Sequence, residues 1–407
     1  MAKTKAAQQN QKLKQQGKKM SNGQAKPKET PEQLYASAVE LVEQSQPEDA
    51  LKQATKLWRA VQDGSVTEAL PAINLLGEIN VELGEIDDAR MCFEKAVTLD
   101  PEGKVPEAMG GGAEKFLWLA QLCDEGGQRS VDWYEKGVLA LQREIAALEN
   151  GEAKGMDEES LLMMRVEKKR KLANALCGIV EVYMTDLSWD DDAEVRCENL
   201  VTQAMSVEDE TSPEVLQTLA SVRLSQERKE DAQAALKRSV DSWKNLDPED
   251  DGVPDFPIRI SLSRLLMEAE MEYDAMGVLS RLIQEDDQSV EAWYLGGWCQ
   301  HLIADRHQGE PENWREDPEK RETIETALRG SRQWLKMSLK LFDLQDYEDD
   351  RLKAHAEEVL AELNNLLGPQ EEGEDVEGGE ELLDDEEWEG IDDDGDGDGE
   401  DRTMKDA

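Results

Sequence analysis

The sequence predicts an all-α protein built as a solenoid of stacked helix hairpins, and three observations carry that expectation. Apolar residues recur at three- and four-residue spacing along most of the chain, the signature of amphipathic helices. No stretch of useful length alternates apolar and polar residues as a half-buried strand would. Residues 70–103, LPAINLLGEINVELGEIDDARMCFEKAVTLDPEG, hold two such helical stretches that meet at a turn around Gly84, and weaker copies of this unit recur.

The unit itself explains its packing. Gly77 and Ala89 remove bulk where two antiparallel helices cross, Phe93 fills the space toward the next hairpin, and Pro101 stops the second helix because it lacks an N–H. Leu76, Gly77, Gly84, Ala89, Phe93, Ala96 and Pro101 fall where the tetratricopeptide consensus puts its packing residues. The segment resembles that repeat, with Ile73 for the usual Trp and Asn80 for the usual Tyr. The fold class expected is therefore a tetratricopeptide-type helical-repeat array, and the resemblance implies a right-handed superhelix lined by the first helix of each hairpin.

In that register the other elements follow in order. Residues 31–64 carry Ala38, Ala50, Ala54 and Leu57 at matching offsets; 113–146 and part of 172–207 give two fainter copies, separated by the polar stretch 149–159. Residues 213–246 offer Leu216, Leu219, Ala220, Ala232 and Leu236, and 256–289 offer Leu262, Ala275, Leu279 and Leu282. Val290 opens a seventh copy with Trp293, Gly296, Gly297 and Trp298, whose second helix is displaced to about 319–344 by a loop expected over 305–318. An amphipathic helix at about 350–367 caps the open end. The expected domains are a disordered Lys/Gln-rich segment at 1–30, the solenoid at 31–367 and a disordered acidic tail at 368–407. Trp58, Trp118, Trp133, Trp189, Trp243 and Trp334 read as packing residues.

Charge narrows the function. The formal net charge is −47, from 93 acidic and 46 basic residues. Met1–Lys28 holds eight Lys and no acid, whereas Gly368–Ala407 holds twenty acids against Arg402 and Lys405. Taking the resulting +8 and −18 from the total leaves −37 for the body, so the folded part is itself acidic. A polyanion would be repelled, so direct nucleic-acid binding is not expected, and a basic protein is the expected partner. No apolar run approaches the roughly 18 residues of a membrane helix, so no membrane partner is expected. Five scattered cysteines, none at metal-ligand spacing, fit reduced thiols in helix contacts. Cytoplasm and nucleus are the compartments expected.

The tetratricopeptide register also places candidate ligand-facing residues on the first helices: Tyr35 and Glu43, Glu78 and Glu82, Asp124 and Glu125, Asp186, Glu268, and Tyr294 with Trp298. Repeat proteins that clamp an acidic carboxyl terminus put Lys, Arg and Asn there. Glu, Asp and aromatic residues suit Lys and Arg instead, with the rings free to stack on guanidinium planes. Any single Glu could equally be a solvated helix face; the shared sign is the argument.

Chemistry finds no foothold, and no catalytic residue, metal site or cofactor is expected. Asp392 begins what looks like a calcium loop, but its twelfth position is Thr403 where a bidentate Glu is needed. Gly110-Gly111-Gly112 lacks the lysine and strand of a phosphate loop and reads as a flexible turn between repeats. Lys168-Lys169-Arg170-Lys171 weakly matches a nuclear import signal and reads as a solvated helix face.

Of two telling segments, 75–101 and 290–302, the second, VEAWYLGGWCQHL, is the more telling. With LLGEINVELGEIDDARMCFEKAVTLDP, a lysine-rich start, about seven divergent repeats and an Asp/Glu tail, it resembles the fungal tetratricopeptide-repeat assembly chaperones dedicated to universal large-subunit ribosomal protein 4. The resemblance runs from about residue 31 to 367. It implies capture of that newly made basic protein by its long internal loop, shielding, escort to the nucleus and release onto the pre-ribosome, with a nuclear import factor as a second partner. Acidity alone also fits a histone chaperone or a scaffold subunit of a multiprotein complex.

Overall fold

The computed structural model describes residues 29–150, 157–208, 212–250, 252–309 and 317–368. The expectations for the N-terminal lysines and for the acidic tail, its calcium-like run included, fall outside these residues. Fifteen α-helices and no strand occur among the described residues, and they pair as seven hairpins followed by a single helix. The pairs are α1 Pro31–Glu43 with α2 Pro47–Val61, α3 Val66–Glu82 with α4 Ile86–Leu99, α5 Glu114–Gln121 with α6 Gly127–Glu149, and α7 Glu158–Met184 with α8 Ala193–Val207. They continue with α9 Pro213–Ser225 and α10 Lys229–Trp243, α11 Phe256–Glu268 and α12 Glu272–Glu285, and α13 Val290–Gly309 and α14 Pro318–Leu344. The closing helix α15 is Asp350–Leu367.

Two compact units divide this set, Met1–Glu285 with six hairpins and Asp286–Ala407 with the seventh and α15. In the first unit each hairpin packs on the next, and α9 touches both α7 and α11, first helix against first helix. In the second unit, α13 and α14 form the most extensive helix pair and α15 packs against both. Trp334 lies directly over Gly296, which leaves α14 close to α13.

Local chemistry sets the helix ends. Thr30 with Gln33, and Ser65 with Glu68, form reciprocal capping boxes at the starts of α1 and α3. Proline occupies the first turn of α1, α2, α9, α11 and α14, where its missing N–H costs nothing. The turns of four hairpins share one geometry. Two residues past the end of the first helix, Ser45, Gly84, Glu227 and Glu270 all take left-handed backbone, with φ of 55°, 73°, 58° and 59°. In each, the next N–H reaches the carbonyl five residues back: Gln46 to Leu41, Glu85 to Asn80, Arg228 to Arg223 and Met271 to Leu266, at 2.8–2.9 Å. These are Schellman turns, and only one of the four has the glycine that makes them inexpensive.

Packing follows the repeat logic. A methyl group at Gly77 would lie 2.8 Å from the Phe93 ring, so the absence of a side chain is what admits that ring. Phe93 in turn stacks on Trp118 of the next hairpin, with centroids 5.9 Å apart and planes 11° from parallel. Arg259 is buried and forms a bidentate pair with Glu285, joining the ends of α11 and α12 at 2.7 and 2.5 Å. Cys92, Cys177, Cys197 and Cys299 are free thiols buried in helix contacts, and Cys123 is half-buried at the end of α5. Burial pushes the Cys92 thiol up to about 11 and the Cys177 thiol up to about 12.

Three expectations need correction. Trp189 is 94% exposed, because it falls in the turn between α7 and α8 rather than on a packed helix face. Helix α13 continues to Gly309 and α14 begins at Pro318, so the expected loop over 305–318 is shorter at its start. Lys168 and Lys171 turn inward: Lys168 is buried between Glu107 and Glu144 at 2.6 and 2.9 Å, and Lys171 pairs with Glu114 and Glu167 at 2.5 and 3.0 Å. Burial opposes both charges, yet these partners hold both ammonium groups above the usual lysine range.

Candidate functional site

The first three hairpins, with Lys171 of α7, line a cleft of about 790 Å³. Its floor is apolar, from Leu57 and Val61 of α2, Ala72 and Leu75 of α3, and the Tyr35 and Trp118 rings. Its rim is acidic: Glu32 from α1, Glu68 and Glu78 from α3, Glu107 from the segment after α4, and Glu114 from α5, against the single cation Lys171. On α3, i, i+3/i+4 spacing brings Glu68, Pro71, Ala72, Leu75 and Glu78 to one side. Tyr35 remains 40% exposed to the solvent in the cleft.

These carboxylates are not equivalent. Glu68 is held by Ser65 in the capping box, Glu107 by Lys168, and Glu114 by Lys171. The amides at the start of α1 and the Thr30 hydroxyl hold the Glu32 carboxyl below its ordinary range. Glu78 has no ion pair or hydrogen bond among the described residues. Desolvation by the cleft walls, then the charges of Glu114 and Glu82, push its carboxyl up to about 7 against the opposing pull of Lys171. The side chain is reachable by water from the open side while protein surrounds the rest, so it is a carboxylate in want of a cation.

A built loop forms one wall. Asp100, buried before Pro101, accepts from the Lys104 and Val105 amides at 2.9 and 3.3 Å through one oxygen. Its other oxygen accepts from Lys115 Nζ at 2.9 Å, and the same ammonium donates to the Gly112 carbonyl at 2.7 Å. Asn74 Nδ2 donates to the Gly110 carbonyl at 2.7 Å. The glycine run expected as a flexible turn is thus pinned at both ends by hydrogen bonds.

Of the residues expected to face a ligand, Tyr35 and Glu78 meet in this cleft. Glu43, Glu82 and Glu268 are the exposed last residues of α1, α3 and α11. Asp124, Glu125 and Asp186 are not on first helices. Helix α5 ends at Gln121, so Asp124 and Glu125 sit in the turn, paired with Arg90 at 2.9 Å and with Arg129. Asp186 follows α7 and accepts the Gly127 amide at 2.8 Å. Tyr294 and Trp298 are half-buried against α15: the Tyr294 hydroxyl is 2.8 Å from His355 Nδ1, and the Trp298 ring lies 5.2 Å from the His355 ring. Their faces are committed to the closing helix. Sequence reasoning missed Glu107, Trp118 and Lys171, whose place depends on the loop after α4 and on the early start of α7.

Comparison with known proteins fits this geometry. A tetratricopeptide repeat family model matches residues 70–102. Over 371 residues, 90% of this chain and 90% of the relative, the sequence is 48% identical to a protein of Emericella nidulans named "Probable assembly chaperone of rpl4". The chain belongs to the family of assembly chaperones of rpl4. A Schizosaccharomyces pombe member with the same name is 34% identical over 332 residues, which is 81% of this chain and 91% of that one. The solved structure of the assembly chaperone of RpL4, Acl4, residues 1–338, matches with a TM-score of 0.62 at 46% identity, covering 69% of this chain and 99% of that chain. Among the described residues no cluster of side chains could hold a metal ion and no helix is long and apolar enough to cross a membrane.

Proposed function

We propose that this chain is a dedicated chaperone that binds and shields newly made rpl4 and delivers it to the assembling large ribosomal subunit. The observation that carries the reading is similarity along 90% of its length to a relative named for that task. The cleft supplies a physical means. Lysine and arginine stems would lie on its apolar floor while their cationic heads meet Glu78 and its neighbours. The client segment proposed is a basic internal loop of rpl4, which off the ribosome lacks counter-charge.

Ribosomal RNA, a denser polyanion than this cleft, would compete for the same basic residues and so drive release at delivery. The chain itself, at −47, takes no direct nucleic-acid partner in this scheme. We further propose that it acts by binding rather than catalysis, works in both cytoplasm and nucleus, and enters the nucleus with an import factor.

Purified full-length chain mixed with rpl4 should co-elute as one complex, and the complex should weaken steeply with added salt because charge pairs at a rim are screened within about 8 Å at physiological ionic strength. Pull-down from lysate that returns histones, or a stable multi-subunit complex without rpl4, would defeat the reading.

A further inference from the structure

The cleft opens beside the point where the N-terminal segment joins the folded chain. Pro31 and Glu32, the first residues of α1, are themselves part of its lining. The 28 residues before Glu29 carry eight lysines and no acid, and in composition they match the kind of ligand the cleft is suited to. Lys18 lies thirteen residues from Pro31, and Lys19, Lys26 and Lys28 lie nearer. An extended chain of that length spans up to about 45 Å, far more than is needed to cross the cleft. A ligand tethered this closely is present at an effective concentration of about a millimolar.

Within the cleft, Glu107 and Glu114 already have lysines at ion-pair distance, while Glu32, Glu68 and Glu78 have none. The apolar floor under the acidic rim suits lysine in particular, whose four methylenes cover apolar surface while the ammonium stays at the edge. We propose that the lysine-rich segment Met1–Lys28 docks into the cleft of its own chain and holds it until a basic client displaces it. The displacement half of this statement rests on the client reading above; the docking half does not. The segment then acts as an internal competitor: weakly basic or short cationic sequences fail to dislodge it, and a client with a long basic stretch succeeds.

Carbodiimide coupling of the full-length chain, followed by mass spectrometry, tests the docking without any client. Amide links from Lys12, Lys14, Lys18 and Lys19 should concentrate on Glu32, Glu68 and Glu78, and should persist at high dilution in a mixture of isotopically light and heavy chains without joining the two. Links spread evenly over the acids of α10 and α12, or links only between light and heavy chains, would overturn the proposal. In a second measurement, full-length chain with all eight lysines changed to Gln should bind a soluble oligolysine peptide about tenfold more tightly than the natural chain. Unchanged affinity for that peptide would also overturn it. If the couplings appear and rpl4 binds neither chain, the docking stands and the client reading fails.

Discussion

Lys115 and Asp100 form an ion pair 2.9 Å long with both side chains shut away from solvent. Breaking a buried pair by removing one partner costs about 3–5 kcal/mol, because the other charge is left uncompensated. Asp100→Ala also frees two loop amides, so a fall in Tm of about 10 °C is expected from thermal melts. Asp100→Asn keeps an acceptor and should lose less. Equal melting of Asp100→Ala and the natural chain would contradict the pinned loop.

Glu78 gives a prediction in pH. Its folded pKa, about 7, lies above the ordinary value, so the folded state holds a proton that the unfolded state has released. The contribution is complete below the ordinary carboxylate pKa and is lost as pH rises through about 7. Solvent access discounts it to less than about 1 kcal/mol. Glu78→Gln should therefore melt about 2 °C above the natural chain at pH 8 and level with it at pH 5. Binding of a cationic peptide favours the ionised form, so affinity should tighten between pH 6 and 8 in the natural chain and stay flat in Glu78→Gln.

Three of the four Schellman turns predict gains rather than losses. Ser45, Glu227 and Glu270 hold left-handed backbone that costs a residue with a side chain about 1 kcal/mol. Changing each to Gly should recover part of this, about 0.5–1 kcal/mol per site, measurable by denaturant titration. Gly84→Ala should lose a similar amount.

Gly77 and Phe93 are coupled through a gap that admits no methyl group. Gly77→Val should destabilise by about 1–3 kcal/mol through overpacking. Phe93→Leu, which shortens the opposing side chain, should make the second substitution cheaper than it is alone. A double-mutant cycle with additive effects would show that the two do not share the space.

Charge reversal separates the cleft from the rest of the acidic surface. Glu78→Lys should weaken rpl4 capture tenfold or more, since it replaces the unpaired carboxylate and sets like charges face to face. Glu268→Lys, at the far end of α11, should change it less than about threefold. Equal effects in pull-down titrations would mean that net charge, not the cleft, governs capture.

The repeat with Gly84 was legible because most positions that packing constrains there carry their favoured residue, Ile73 and Asn80 being the departures. Its register reached the other six hairpins through small residues such as Ala38, Ala232 and Ala275, which must be small wherever helices cross. The turns of those copies were silent, since Ser45, Glu227 and Glu270 tolerate left-handed backbone without announcing it. Tyr35 and Glu78 were found by offset alone. Asp124, Glu125 and Asp186 were misplaced because α5 spans two turns and α7 ends at Met184, and a fixed offset assumes helices of standard length. Lys168 and Lys171 could not be read as inward-facing, because their partners Glu107 and Glu114 lie about sixty residues away in sequence.

The burial of four thiols out of five has a practical consequence. Thiolate is the species that alkylating reagents attack, and Cys92 and Cys177 are both enclosed and slow to ionise. A brief maleimide treatment of the native chain should therefore attach a dye at Cys123 alone. That residue stands five positions past Trp118 in the cleft wall, so the unaltered protein already carries an attachment point for an optical probe of what enters there.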